Sequence, residues 1–114
     1  MKIHALVLGF GVASSAYTSL LDFNKVETSV LGSPFDKKKI NSCKKTRKEK
    51  GFNLKYSKKI QFFNSEELKK VDLGNVNFII VGTNTKGIDW AINILNKIKI
   101  DCPVLLITKG IANL

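Results

Sequence analysis

The sequence of 114 residues has little of what metal sites and disulfide scaffolds require. It contains two cysteines and one histidine, and the cysteines, Cys43 and Cys102, stand far apart with no CxxC pair. A structural zinc site takes four such ligands, and a disulfide framework takes several cysteines at regular spacings. We therefore expect no metal site. Sparse, unpaired cysteines also favour a cytoplasmic protein with reduced thiols.

Long apolar runs are missing as well, because nothing approaches the roughly 18 residues of a membrane span. The apolar N-terminus resembles a short signal peptide. However, Gly9 and Gly11 interrupt the run, and His4 lies inside it. The same residues suit a strand, a turn and the start of a helix, so we expect no membrane partner.

Acidic residues are few: 19 Lys and Arg stand against 9 Asp and Glu, which gives a net charge of +10. The excess lies wholly in residues 37–59, the cationic segment, where eleven basic residues accompany one acid, Glu49. Such a run is usually a solvated surface. Aromatic residues within it are limited to Phe52 and Tyr56, and no nucleic-acid-binding motif is present, so we do not expect a nucleic-acid partner.

The rest of the composition is that of a globular domain, with 44% hydrophobic and 25% charged residues. The length predicts one domain. Short apolar runs predict strands at residues 3–8, 26–31, 60–63, 76–81 and 104–107, and helical patterns lie between most of them. A short helix is predicted over residues 36–42, and Asn64 with Glu67 predicts a capping box at the start of a brief helix after the third strand.

Strands that alternate with helices form a parallel sheet covered on both faces. The predicted fold is therefore α/β, a doubly wound, Rossmann-like parallel sheet with strand order 3-2-1-4-5. Ligands bind at the carboxyl ends of the strands in such sheets, so we expect four loops to meet at one rim: residues 9–14, 32–34, 82–85 and 108–110.

The turn after the first strand carries the most informative motif. The run Gly9-Phe10-Gly11-Val12-Ala13-Ser14 matches G-x-G-x-x-S between a predicted strand and a predicted helix, which is the context of a dinucleotide-binding fingerprint. Gly9 permits the tight turn, Gly11 lets the backbone approach a pyrophosphate, and a small third residue allows close helix–strand packing. The alternative is that two glycines simply make a tight turn.

The end of the second strand bears on the choice of cofactor. It consists of Leu31-Gly32-Ser33 and offers no acid to grip a ribose 2′-hydroxyl, as NAD sites do. Lys37, Lys38 and Lys39 follow closely. This arrangement favours NADPH over NADH.

With these pieces in place, the sequence resembles the N-terminal part of the NAD(P)-dependent glycerol-3-phosphate dehydrogenases. The resemblance rests on the glycine-rich turn, on Val30-Leu31-Gly32-Ser33, on residues 60–68 and 78–83, and above all on Leu106-Ile107-Thr108-Lys109-Gly110-Ile111. It implies reduction of dihydroxyacetone phosphate by NAD(P)H to sn-glycerol 3-phosphate, for phospholipid synthesis.

The resemblance also assigns roles by position. Val12 and Ala13 lie where the family's turn touches the cofactor, and Ser33 lies where many bacterial members place an arginine near the adenosine ribose. Lys109 lies where a family lysine touches both cofactor and substrate. The candidate cofactor-binding residues are Gly9, Phe10, Gly11, Val12, Ala13, Ser14, Ser33, Gly82, Thr83, Asn84 and Lys109.

In that family the principal catalytic groups lie in a helical C-terminal domain, which these 114 residues do not include. The resemblance therefore implies that residues 1–114 are a dinucleotide-binding domain. It implies that a phosphorylated substrate is bound together with the C-terminal domain, and that this chain alone has no turnover.

Two alternatives stay open. One is a domain like that of ketopantoate reductases, whose fifth strand often ends in Asn-Gly where this chain has Lys109-Gly110. The other is a non-enzymatic module whose residues 37–59 bind nucleic acid or anionic lipid.

Overall fold

The computed structural model describes residues 2–107. The strands are β1 (His4–Leu8), β2 (Glu27–Leu31), β3 (Lys48–Glu49), β4 (Leu54–Lys55), β5 (Ile60–Phe63), β6 (Phe78–Val81) and β7 (Val104–Leu106). The α-helices are α1 (Val12–Phe23), α2 (Lys37–Thr46) and α3 (Ile88–Ile98). Within the described part of the chain, none of the helices has the length and apolar character to cross a membrane.

Five parallel strands form the main sheet, in the order β5-β2-β1-β6-β7. Counted along the chain without the small β3–β4 hairpin, this is the order 3-2-1-4-5. The predicted α/β fold and its strand order are therefore confirmed. The central strand β1 is buried on both faces from Ala5 to Leu8, as a short apolar run in a doubly covered parallel sheet should be.

Each face of the sheet has its own core. On one face, Val7 and Val30 pack with Ile40 of α2 and with Phe10. On the other face, side chains such as Leu6 pack with the apolar stripe of α3. This division follows from the two-residue period of strands, which sends neighbouring side chains to opposite faces.

Two connections differ from the predicted elements. The predicted helix over residues 36–42 is a 3-10 turn, Pro34–Asp36, followed by the longer α2. The segment after β5 forms 3-10 turns, Ser65–Lys70 and Leu73–Asn75, where we predicted a brief helix. The predicted contact at its start is present, because the Glu67 carboxylate accepts from the Asn64 N–H at 2.8 Å.

Candidate functional site

Three of the predicted strand-end loops meet at one rim of the sheet. They are the glycine-rich turn (residues 9–14) after β1, residues 32–34 after β2 and residues 82–85 after β6. The carboxyl ends of parallel strands are where ligands bind in open α/β sheets. The fourth predicted loop, with Thr108, Lys109 and Gly110, lies outside the described residues.

Gly9 occupies a position that no other residue fits. Its φ is +90°, a backbone conformation that side chains with a Cβ rarely adopt. A Cβ added there would lie 2.7 Å from the Cβ of Thr83. The Gly9 N–H donates to the Leu31 carbonyl at 2.8 Å. The turn is therefore pinned between the ends of β2 and β6.

Gly11 leaves the start of α1 open. It is the N-cap residue and has no side chain to cap the helix. Its own N–H approaches the Gly82 carbonyl at 3.4 Å, and Val12 and Ala13 are exposed. The first N–H groups of a helix have no acceptor within the helix. An uncapped, exposed helix start is suited to an anion such as a pyrophosphate.

Ser14 lets α1 pack closely against the end of β6. Its side chain is fully buried, and its Oγ donates to the Gly9 carbonyl at 2.7 Å. A Cβ added to Gly82 would lie 2.7 Å from the Ser14 Cβ. The close packing predicted for the third motif position is therefore present, with a serine and a glycine facing each other.

Phe10 supports the turn from beneath. Its ring is fully buried and packs with the rings of Tyr56 and Phe62, with centroids 6.2 and 5.5 Å away. The Tyr56 hydroxyl donates to the Ser15 carbonyl in α1 at 3.0 Å, and burial raises the pKa of this phenol. The aromatic cluster thus fixes α1 and the turn on one side of the sheet.

Asp36 is a site residue that the sequence analysis missed. Its Oδ2 accepts hydrogen bonds from the Phe10 N–H at 2.9 Å, the Ser33 N–H at 2.9 Å and the Ser33 hydroxyl at 2.8 Å. The end of β2 is therefore not free of acid, contrary to what its three terminal residues suggested. The available signal was the spacing of Ser33, Pro34 and Asp36, which is typical of a capped helix start.

Lys39 places a cation beside the start of α1. Its Nζ lies 2.5 Å from the Ser15 Oγ, 3.4 Å from the Gly11 carbonyl oxygen and 3.3 Å from Glu49 Oε2. It also lies 4.6 Å from the centre of the Phe10 ring. Glu49 is only 6% exposed, so this ion pair ties the β3–β4 hairpin to the glycine-rich turn.

The loop after β6 closes the rim. Thr83 is buried and Asn84 is exposed. The Asn84 side chain accepts from the Gly87 N–H at 3.2 Å and so orders the approach to α3. Thr83 fits closely against Gly9 and Gly87, whereas Asn84 presents an exposed polar side chain.

Comparisons with known proteins support the fold. No protein-family model and no curated protein sequence matches the chain. Among solved structures, the chain is similar to a glycerol-3-phosphate dehydrogenase of Coxiella burnetii, with a TM-score of 0.79 and 14% sequence identity. The match covers 95% of this chain and 33% of that dehydrogenase. The likeness agrees with the resemblance indicated by the sequence motifs.

Proposed function

We propose that this chain binds a nicotinamide dinucleotide at the rim of its sheet, as the N-terminal domain of an oxidoreductase that resembles glycerol-3-phosphate dehydrogenase. The observation that carries the proposal is the uncapped, exposed start of α1 at Gly11. It follows directly on a turn whose backbone conformation requires glycine at position 9. Backbone N–H groups there would hold the pyrophosphate, and the helix dipole would add to the attraction.

The remaining candidate residues surround this point. Val12 and Ala13 present the exposed first turn of α1, and Ser33 stands at the end of β2. Asn84 presents its exposed side chain on the side of β6. In the proposed arrangement the adenosine half of the cofactor lies toward Ser33 and the nicotinamide half toward Asn84. Lys109, after β7, would then contact the cofactor and substrate.

The chain spans about a third of the length of the similar dehydrogenase. We therefore propose the complete reaction for an oxidoreductase of which this chain would be one domain. The bound cofactor would supply a hydride to the carbonyl carbon of dihydroxyacetone phosphate, and uptake of a proton by the carbonyl oxygen would complete sn-glycerol 3-phosphate. The role of this chain would be to bind and orient the dinucleotide. A cation at Lys109 would favour the developing alkoxide or the phosphate of the substrate.

NADPH is the cofactor that we propose. Lys37 and Lys38 are exposed at the start of α2, next to the end of β2, where a 2′-phosphate would lie. Asp36 acts in the opposite direction, because its carboxylate would repel that phosphate. Its Oδ2 already accepts three hydrogen bonds, which partly offset its charge, and the two lysines outnumber it.

The decisive experiment compares Gly11→Asp with Gly11→Asn by calorimetric titration of NADPH and NADH. A Cβ at Gly11 meets only the Gly82 carbonyl oxygen, at 3.4 Å, and both residues are good helix N-caps. Both variants should therefore fold. The aspartate charge beside a pyrophosphate should weaken NADPH binding at least about tenfold relative to asparagine, since such pairs interact by several kcal/mol.

Two results would count against the proposal. Absence of binding of either nucleotide up to millimolar concentration would remove the dinucleotide site itself. Equal affinities of the aspartate and asparagine variants would place the phosphates elsewhere. Lys37→Gln and Lys38→Gln test the preference, because they should weaken NADPH and leave NADH unchanged.

A further inference from the structure

The fold divides the cations of the cationic segment into two groups. Three are used internally: Lys39 pairs with Glu49, Lys44 pairs with Glu67, and the Arg47 guanidinium donates to the carbonyls of Ser57 and Ile60. Eight others are exposed, and none of them has an ion-pair partner among residues 2–107. They are Lys37, Lys38, Lys45, Lys48, Lys50, Lys55, Lys58 and Lys59.

An open groove of about 560 Å³ runs along the outer edge of β5. This strand pairs with β2 on one side only, so its other side forms the edge of the sheet. The groove is lined by Lys44, Arg47, Lys58, Ile60, Gln61, Phe62, Phe63 and Lys70. Four of these residues are cationic, and no carboxylate lines the groove in the described part of the chain.

The carboxylate that pairs with two of the lining lysines leaves this face positive. Glu67 accepts from Lys44 and from Lys70, the latter at 3.2 Å. These contacts and the Asn64 N–H lower the pKa of Glu67 to about 2, so it is ionised at neutral pH. One carboxylate shared by two lysines still leaves Arg47 and Lys58 as uncompensated charge along the groove.

The β3–β4 hairpin adds an exposed aromatic ring beside further lysines. Phe52, at its tip, is 51% exposed, whereas Tyr56 is buried. Lys48 of β3 lies opposite Lys55 of β4 in the antiparallel register, and both side chains are exposed. Arg47 joins hairpin and groove, because its carbonyl accepts from the Tyr56 N–H at 2.8 Å while its guanidinium reaches β5.

We propose that the β5 groove and the hairpin form a binding surface for single-stranded nucleic acid. The cations of the groove can hold the phosphates of a strand, and the exposed Phe52 ring, on the hairpin that Arg47 joins to the groove, can stack on one base. A membrane-surface helix would instead combine such cations with an exposed apolar face, which α2, the helix of the cationic segment, does not have. The apolar residues of α2, Ile40 and Cys43, are buried.

The β5 groove is separate from the proposed dinucleotide site, whereas the hairpin is tied to the glycine-rich turn through the Lys39–Glu49 ion pair. The groove follows the β5 edge of the sheet, whereas the glycine-rich turn follows the central strand β1. The inference therefore does not depend on cofactor binding. An excess of NADPH should leave a bound oligonucleotide in place.

Fluorescence anisotropy with a labelled oligothymidine tests the proposal on the whole chain. With about four phosphate contacts, affinity should fall about 50-fold between about 50 and 200 mM salt.

The triple variant Lys48→Gln, Lys55→Gln, Lys58→Gln should lower the slope of log affinity against log salt concentration by about 2. The matched control Lys86→Gln, Lys97→Gln, Lys99→Gln removes the same charge from exposed lysines outside this surface and should keep the slope. Phe52→Ala should cost about tenfold in affinity through lost stacking.

Several outcomes would overturn the inference. Equal losses in the two triple variants would show general charge attraction without a site. Displacement by NADPH would assign the oligonucleotide to the rim. Tighter binding to a duplex of the same length would exclude a single-strand surface, and retention on anionic vesicles without oligonucleotide binding would assign the face to lipid.

Discussion

The glycine-rich turn and the cationic segment provide positive potential in different ways. The turn has no charged side chain, and its attraction for anions comes from backbone N–H groups held in place by tight packing. The cationic segment obtains its potential from lysine side chains, most of which have no ion-pair partner among the described residues. Gly9 and Gly82, where a Cβ would lie 2.7 Å from a neighbouring side chain, should therefore tolerate almost no substitution, whereas the exposed lysines are individually replaceable.

The two regions are nevertheless connected. Asp36, just before α2, accepts from the Phe10 N–H, and Lys39 on α2 reaches Ser15 and the Gly11 carbonyl. Tyr56, after the hairpin, donates to the Ser15 carbonyl. The internal residues of the cationic segment therefore support the turn, while its exposed residues are free for a partner.

The largest loss of unfolding free energy should come from a substitution that tests the rigidity of the turn. Gly9→Ala forces a Cβ into a backbone with φ +90° and to within 2.7 Å of Thr83. Strain and overpacking together should cost about 2–4 kcal/mol of unfolding free energy in a urea titration. The control, Gly74→Ala, places its Cβ no closer than 3.7 Å to Asp72 and should change stability by less than about 0.5 kcal/mol. Equal effects of the two variants would mean that the turn is not specially constrained.

The same contrast explains what the sequence was able to predict. The strands and their order followed from short apolar runs separated by glycine, proline and polar residues, because a buried parallel strand needs little more. The Gly9 turn followed from its motif, because the motif records a local backbone requirement. Local information of this kind is fully present in one short window of sequence.

Long-range contacts were not predictable in this way. Asp36 reaches Phe10 across 26 positions, and Lys39 reaches Ser15 across 24, so no local pattern marks either contact. The sequence also gave Phe52 and Tyr56 equal weight, since only the fold buries one ring and exposes the other. The length of α2 was underestimated because its lysines obscure the short apolar stripe of Ile40 and Cys43.

A smaller loss of unfolding free energy should come from a substitution that tests the connection between the two regions. Lys39→Met removes the partner of the buried Glu49 carboxylate and should cost about 1–2 kcal/mol, less than for a fully buried pair because Lys39 is partly exposed. Lys38→Met, at the exposed neighbouring position, should cost less than about 0.5 kcal/mol. Combining Lys39→Met with Glu49→Gln should recover part of the loss in a double-mutant cycle. Strict additivity would show that the hairpin and the turn are energetically independent.

We expect the smallest effect at Glu67, at the edge of the cationic segment, because solvent screens its ion pairs with the exposed lysines Lys44 and Lys70. This effect depends on pH. Lys44 and the Asn64 N–H lower the pKa of Glu67 to about 2, against about 4.3 in an unfolded chain. A carboxyl whose folded pKa is depressed stabilises the fold above its unfolded pKa and loses that contribution as the pH falls toward the folded value. The stabilisation should therefore be complete above about pH 4.5 and vanish by about pH 2.

Urea midpoints across this pH range should converge for the parent and Glu67→Gln at the acid end and separate at higher pH. Glu66→Gln, at the exposed neighbouring carboxylate, should follow the parent throughout. A constant offset between the parent and Glu67→Gln down to pH 2 would show that Glu67 acts by packing and not through its ion pairs.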